Sequence, residues 1–201
     1  DSHDTGADKF ILLSLSHPAA QVREAAAANA VKAIKRLGDA FPLLELLDDP
    51  DFHVRLKAIW ALGMAENEKA VKPLTNLLKD PDEPWQIKYI AVEALGLLKA
   101  VKAGEEIAAL LKAGNYCLKT VAAKTLGELG YFPAIEALVE TLAEADAALW
   151  TMDLKAWAAR SIIILSGEEP CGDPETWTAW WETNKARILA EGIIKWCAKR
   201  S

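Results

Sequence analysis

Few side chains in this sequence combine the types and spacing that chemistry needs. The histidines are His3, His17 and His53. A locally built metal site takes two ligands a short loop or one helical turn apart, and the chain has no His-x-x-x-His, His-Glu or Cys-x-x-Cys spacing. Three cysteines (Cys117, Cys171, Cys197) are too few and too scattered for a disulfide framework. They read as free thiols, with a Cys171–Cys197 pair as the alternative in an oxidising compartment. Cys117 is expected as a half-buried structural thiol, because no histidine is near enough in sequence to activate it. The acid pairs Asp48-Asp49, Glu105-Glu106 and Glu168-Glu169 fall in turns or near helix ends, where solvation and capping account for them. There is no nucleophile elbow, phosphate loop or dinucleotide fingerprint. Nothing here demands catalysis, metal or cofactor, and the expectation is a non-enzymatic protein.

One charged pattern does recur. Arg23, Arg55, Lys88, Lys119 and Lys155 occupy the same place in successive segments. A row of cations could form an anion groove. Recurrence at a fixed period instead favours a bond needed at every interface, to carbonyls or turn acids of the adjoining segment, with Asp51 and Asp82 the nearest candidates.

The elements that position these residues repeat as well. Residues 49–80 read DPDFHVRLKAIWALGMAENEKAVKPLTNLLKD. Val54, Ala58, Ala61 and Leu62 form one apolar helical face. Asp51 is suited to cap the helix, and Gly63 to turn the chain left-handed after it. A second helix follows, with Pro73 near its start and Val71, Leu74, Leu77 and Leu78 on one face. Two short helices cannot bury such stripes alone, so the unit implies neighbours of its own kind. Taking Val22, Val54, Ile87, Leu118 and Leu154 as equivalent gives steps of 32, 33, 31 and 36 residues. The expected fold is all-α: an α-solenoid, or superhelix, of about five helical hairpins.

The phrase D-P-D-x-x-V-R-x-x-A-x-x-A-L-G, intact at 49–63 and looser elsewhere, resembles HEAT repeats, in particular the short bacterial form named after phycobilisome lyases. The resemblance covers about residues 9–165 and implies an armadillo-like helical scaffold that binds proteins. A HEAT-type hydroxylase uses repeated His-Glu pairs as iron ligands, and this chain has none. The expected organisation is one domain over 1–201, with a flexible tail at 1–8, repeats at 9–165, and a loop and capping helices at 166–201. Asp173-Pro174-Glu175 opens a helix carrying Trp177, Trp180 and Trp181, which would cover the exposed core of the last repeat. A further amphipathic stretch at 186–199 follows it.

Composition narrows the partners. The chain is 52% hydrophobic and 26% charged, with net charge −6 and a pI near 5.2. That suits an ordered globular protein and supplies no field for nucleic acid. The longest apolar runs are too short to enter and span a bilayer. The sequence opens at Asp1 without an initiator methionine. The expectation is therefore a soluble protein, cytoplasmic or exported after loss of a signal not present in this chain.

In HEAT-like solenoids the second helices line the concave side. The candidate binding residues there are Lys69, Lys72, Asn76 and Lys79, then Glu105, Lys112 and Glu140. Their mixed signs suit a protein or peptide partner better than a phosphate backbone. An outer-face alternative is Leu56, Trp60 and Tyr89 on the first helices, a patch that adjacent repeats could equally bury. The leading functional reading is a protein-binding scaffold or adaptor. The alternative, drawn from the resemblance, is a chaperone or lyase subunit handling a tetrapyrrole (bilin).

Overall fold

The computed structural model describes residues 2–38, 40–113, 115–144, 152–168 and 174–198. Among them are eleven α-helices and no strand. The chain is an all-α solenoid of HEAT-like hairpins, divided into two compact units, Asp1–Ala100 and Val101–Ser201, each described here by itself.

In the first unit, α1 (Ser2–Ser14) is followed by α2 (Ala20–Leu37). Then come α3 (Phe41–Glu45) with a 3-10 turn at Leu46–Asp48, α4 (Phe52–Met64), α5 (Val71–Lys79) and α6 (Trp85–Leu97). The first helices α2, α4 and α6 pack side by side, and α1, α3 and α5 each pack on the first helix that follows. The sequence dictates this. Val54, Ala58, Ala61 and Leu62 are all fully buried, and Asp51 caps α4 by accepting from the amides of His53 and Val54.

Three expectations change. Residues expected as a tail are helical, since α1 begins at Ser2, and Asp8 is buried and ion-paired to Arg36 at 3.2 Å. Val22 is 36% exposed rather than inward, and burial in α2 starts only at Ala26. Gly63 does not turn the chain, because it lies inside α4. Its role is close approach: a Cβ there would stand 2.8 Å from the Ala94 Cα of α6. The left-handed residue comes three positions later, at Glu66 (φ 57°), and the matching residue after α6 is Lys99 (φ 50°).

The second unit continues the pattern with α7 (Gly104–Ala109) and a 3-10 turn at Leu110–Lys112, α8 (Tyr116–Glu128), α9 (Ile135–Glu144), α10 (Met152–Ser166) and α11 (Pro174–Ala198). Here α8 packs on α10. Gly127 comes so close to Ser161 that a Cβ would overlap its side chain. The Ser161 hydroxyl donates to the Ala123 carbonyl at 2.7 Å, and the Tyr116 hydroxyl accepts the Leu154 amide at 3.0 Å. The expected capping helix and final amphipathic stretch are one 25-residue helix, α11. Trp177, Trp181 and Ile188 are buried along one stripe of it, so helix and stretch share a single packing face. It packs on α9 and α10 as a cap. Gly192 admits the ring of Phe132 against its backbone. The expected N-cap Asp173 lies outside the described residues.

Three substitutions test this geometry, all read by urea denaturation. Gly63→Ala should lower stability by about 1–3 kcal/mol, because helix α6 must move to admit the methyl. Gly6→Ala, with open space around it, should instead gain about 0.5–1 kcal/mol from helix propensity. Lys99→Gly should stabilise by about 0.5–1 kcal/mol with an unchanged denaturant slope, since only glycine adopts that backbone without strain.

Candidate functional site

The recurring cations divide by role. Arg23 grips Asp49 in a two-pronged ion pair, Nε to Oδ2 at 2.7 Å and Nη2 to Oδ1 at 2.9 Å. Its Nη1 donates to the carbonyls of His17 and Pro18. Arg55 donates to the Leu47 carbonyl and pairs with Glu83. These arginines therefore staple turns between hairpins. The acids are Asp49 and Glu83, not Asp51 and Asp82. Asp51 spends its carboxylate on the α4 cap, and Asp82 is exposed. The Arg23 guanidinium holds the Asp49 carboxyl below the usual carboxylate range, and Asp49 in turn raises Arg23. Lys119 lies 3.9 Å from Glu144. Lys88 and Lys155 are half-buried with no ion pair among the described residues.

The remaining chemistry-bearing residues stay apart. His17 accepts the Ala19 amide at Nδ1, and exposed His53 meets Phe52 edge-on. Among the described residues no group of three His, Cys, Asp or Glu side chains is placed to hold a metal. No helix among them is long and apolar enough to cross a membrane. Cys117 is exposed rather than half-buried, since it falls on the solvent side of the first turn of α8. The alternative pairing partner Cys171 lies outside the described residues.

Each unit offers a second-helix face. In the first, Lys69, Lys72, Asn76 and Lys79 are exposed, while Ala70, Leu74 and Leu78 between them are buried. The strong segregation on α5 produces a polar stripe of three cations and an amide. In the second unit Glu105, Lys112 and Glu140 are exposed. There α11 reaches α9 through Lys185, whose ammonium lies 2.6 Å from Glu136. That carboxylate raises the Lys185 pKa, with Glu140 adding to it. The sequence pattern did not reveal this partner of α9, because nothing local in residues 174–198 specifies where the helix lies.

On the first-helix face, Leu56 and Tyr89 are half-buried and Trp60 is 39% exposed. Leu56 and Trp60 line an apolar cleft of about 390 Å³ with Ala28, Lys57 and Ile90. Ala28 and Ile90 escaped the sequence reading, although Ala28 occupies the same repeat position as Trp60 and its small size was a usable signal. A second cavity, about 300 Å³, lies in the other unit among Gly130, Phe132, Ile164, Arg187, Gly192 and Trp196. Its charged rim is neutralised internally: Arg187 grips both carboxylate oxygens of Glu168 and holds that acid below its usual range.

A family model described as HEAT repeats matches residues 8–85. Over those residues the chain belongs to the HEAT-repeat family. No curated protein matches it significantly in sequence. Among solved structures it is similar to the complex of CpcE and CpcF of phycocyanin lyase from Nostoc sp. PCC7120, with TM-score 0.68 and 23% identity over 80% of this chain. It spans 65% of that chain's length. It is also similar to an engineered protein, with TM-score 0.63 and 21% identity, over 92% of this chain and 88% of that one. At these identities the likeness speaks for the fold. In HEAT-repeat terms, hairpins continue past the matched segment, since α8 and α10 meet through the same kind of close contact as α4 and α6.

The arginine staple makes stability depend on pH. The folded pKa of Asp49 is depressed, so its contribution is present above the ordinary carboxylate value, about 3.9. It is lost as pH falls through the depressed value. Asp49→Asn should cost about 1–3 kcal/mol between pH 5 and 8. The gap between variant and wild type should close below about pH 4, as measured by denaturation at each pH.

Proposed function

We propose that this HEAT-repeat chain is a non-enzymatic module that binds another protein through its second-helix faces. One observation carries the reading. The 68–79 segment presents Lys69, Lys72, Asn76 and Lys79 together at the surface, while its alternate residues hold the core. The side chains of Lys69, Lys72 and Asn76 make no hydrogen bond or ion pair to other described residues, so their donors are available to a partner. A net charge of −6 and the opposite signs at Glu105, Lys112 and Glu140 support a protein surface over a phosphate backbone.

A second reading rests on the likeness to the phycocyanin lyase complex: a subunit that handles a tetrapyrrole, with or without lyase chemistry. The two separate in one experiment. Tagged protein is used to capture partners from its native lysate, alongside Lys69→Glu/Lys72→Glu, with circular dichroism confirming that both fold. The binding reading expects a discrete protein whose retention drops at least tenfold in the double variant. Retention of no protein, with a co-purifying molecule that absorbs in the visible, would replace it with the tetrapyrrole reading.

A further inference from the structure

A surface helix ordinarily keeps charge on the side turned away from the core. Helix α11 does not. Trp177, Trp181 and Ile188 form its buried stripe. On the opposite side stand Ala179, Thr183, Ala186, Ala190, Ile193 and Cys197, at intervals of 4, 3, 4, 3 and 4 residues. All of them are exposed, Ile193 by 49%, and Ile194 beside it is 69% exposed. Thr183 turns its hydroxyl back onto the Ala179 carbonyl at 2.9 Å. Glu182 and Lys185 lie to one flank, Arg187 and Glu191 to the other, and no charged residue falls within the line itself. The result is an uncharged seam about 27 Å long.

Alternating intervals of 3 and 4 keep one line of side chains facing a single neighbouring helix, the geometry of a coiled-coil seam. Side-chain size then selects the neighbour. The N-terminal half of the seam carries small groups, Ala179 and Thr183, and the C-terminal half carries the larger Ile193 with Cys197. A second α11 laid antiparallel sets Ile193 against Thr183, Cys197 against Ala179 and Ala186 against Ala190. Each layer then joins a larger side chain with a smaller one, or two methyl groups. A parallel copy would stack Ile193 on Ile193 and Ala186 on Ala186, and the helix separation needed by the first layer would leave a gap at the second. Beside the seam the antiparallel register also brings exposed Ile194 onto Trp180, and Leu189 onto its own copy.

The charges suit the same arrangement. Arg187 lies on the flank nearest the axis and would face Arg187 of the second copy. Each guanidinium already holds both carboxylate oxygens of its own Glu168, so two neutral pairs meet rather than two bare cations. On the other flank Glu182 faces Trp196 of the second copy and no other acid.

We propose that the outer face of α11 is a self-association surface, on which two copies of this chain pair through antiparallel α11 helices about a twofold axis passing between Ala186 and Ala190. The surface lies in the second unit and does not depend on the protein-binding reading of the second-helix faces. One helix pair is a small interface, so the dimer dissociates on dilution.

Sedimentation velocity across a range of concentrations is expected to show a monomer–dimer equilibrium. Ala186→Glu/Ala190→Glu, which gathers four carboxylates at the axis, should weaken association roughly tenfold or more through like-charge repulsion. Ala156→Glu, at an exposed position of α10, should leave it unchanged, and circular dichroism confirms that each variant folds. A protein that stays monomeric at every concentration overturns the proposal, as does a dimer indifferent to the double variant. Orientation is read by cross-linking in a background with Cys117, Cys171 and Cys197 changed to serine. Thr183→Cys and Ile193→Cys proteins, mixed and oxidised, are expected to form the mixed disulfide in preference to either symmetric one. Disulfides of each variant with itself would instead mean a parallel pair and overturn the antiparallel register. Lys69→Glu/Lys72→Glu should still dimerise, and Ala186→Glu/Ala190→Glu should still capture any protein held by the second-helix face, so the two readings fail separately.

Discussion

Within each unit, how near one first helix can come to the next sets everything else. Helices bearing ordinary side chains pack with axes about 8–10 Å apart. At Gly63 against Ala94, and at Gly127 against Ser161, there is no room even for a methyl group. This contact fixes where each hairpin sits on its neighbour. Consequently it fixes which second-helix residues face outward and how wide a cleft remains on the other side. The arginine staples then pin the turns: Arg23 through Asp49, and Arg55 through Glu83 and the Leu47 carbonyl. Packing sets the spacing of the hairpins, and charge sets the geometry of the turns between them.

Periodicity made most of this legible. Apolar stripes at helical spacing, repeated every 31 to 36 residues from Val22 to Leu154, specify hairpins that must stack. A residue such as Asp51, placed before an apolar stripe, could be read as a cap with its donors. What escaped was set by tertiary geometry. Gly63 fits a turn and a close helix contact equally well on local grounds, and only the position of Ala94 decides between them. Arg23 takes Asp49 while Asp51 is committed to capping, and Arg55 takes Glu83 while Asp82 lies exposed. The continuity of α11 through Gly192 was hidden for the same reason: glycine weakens an isolated helix, but here it admits the Phe132 ring. Of the candidate sites, Trp60 and Leu56 were visible as types at a spacing. Their cleft was not, because Ala28 and Ile90 come to it from neighbouring helices.

The two tryptophans on the first-helix faces show one scaffold spending the same residue in two ways. Trp157, clasped by Lys124 and Arg160, is an internal contact of its unit. Trp60 stands at a different repeat position, six residues past Val54 where Trp157 is three past Leu154, and lines an open cleft. In a repeat array such exchanges cost little. A position that faces away from the core can change residue without disturbing the Gly63 or Gly127 contacts, so recognition can vary while the stack is kept.

Two of the second helices are very short: α3 has five residues and α7 six, each finished by a 3-10 turn. Helices of that length do not persist in water by themselves. They hold their shape because Leu43, Leu46, Leu47, Ile107, Leu110 and Leu111 are buried. The amides of these segments are therefore protected from hydrogen exchange only while that packing lasts, and they should open at lower free energy than those of α4 or α8. The face presented by the second helices is in this sense the soft side of the molecule. A partner gripping it would gain part of its selectivity by choosing among local openings, and would slow the exchange of amides it never touches.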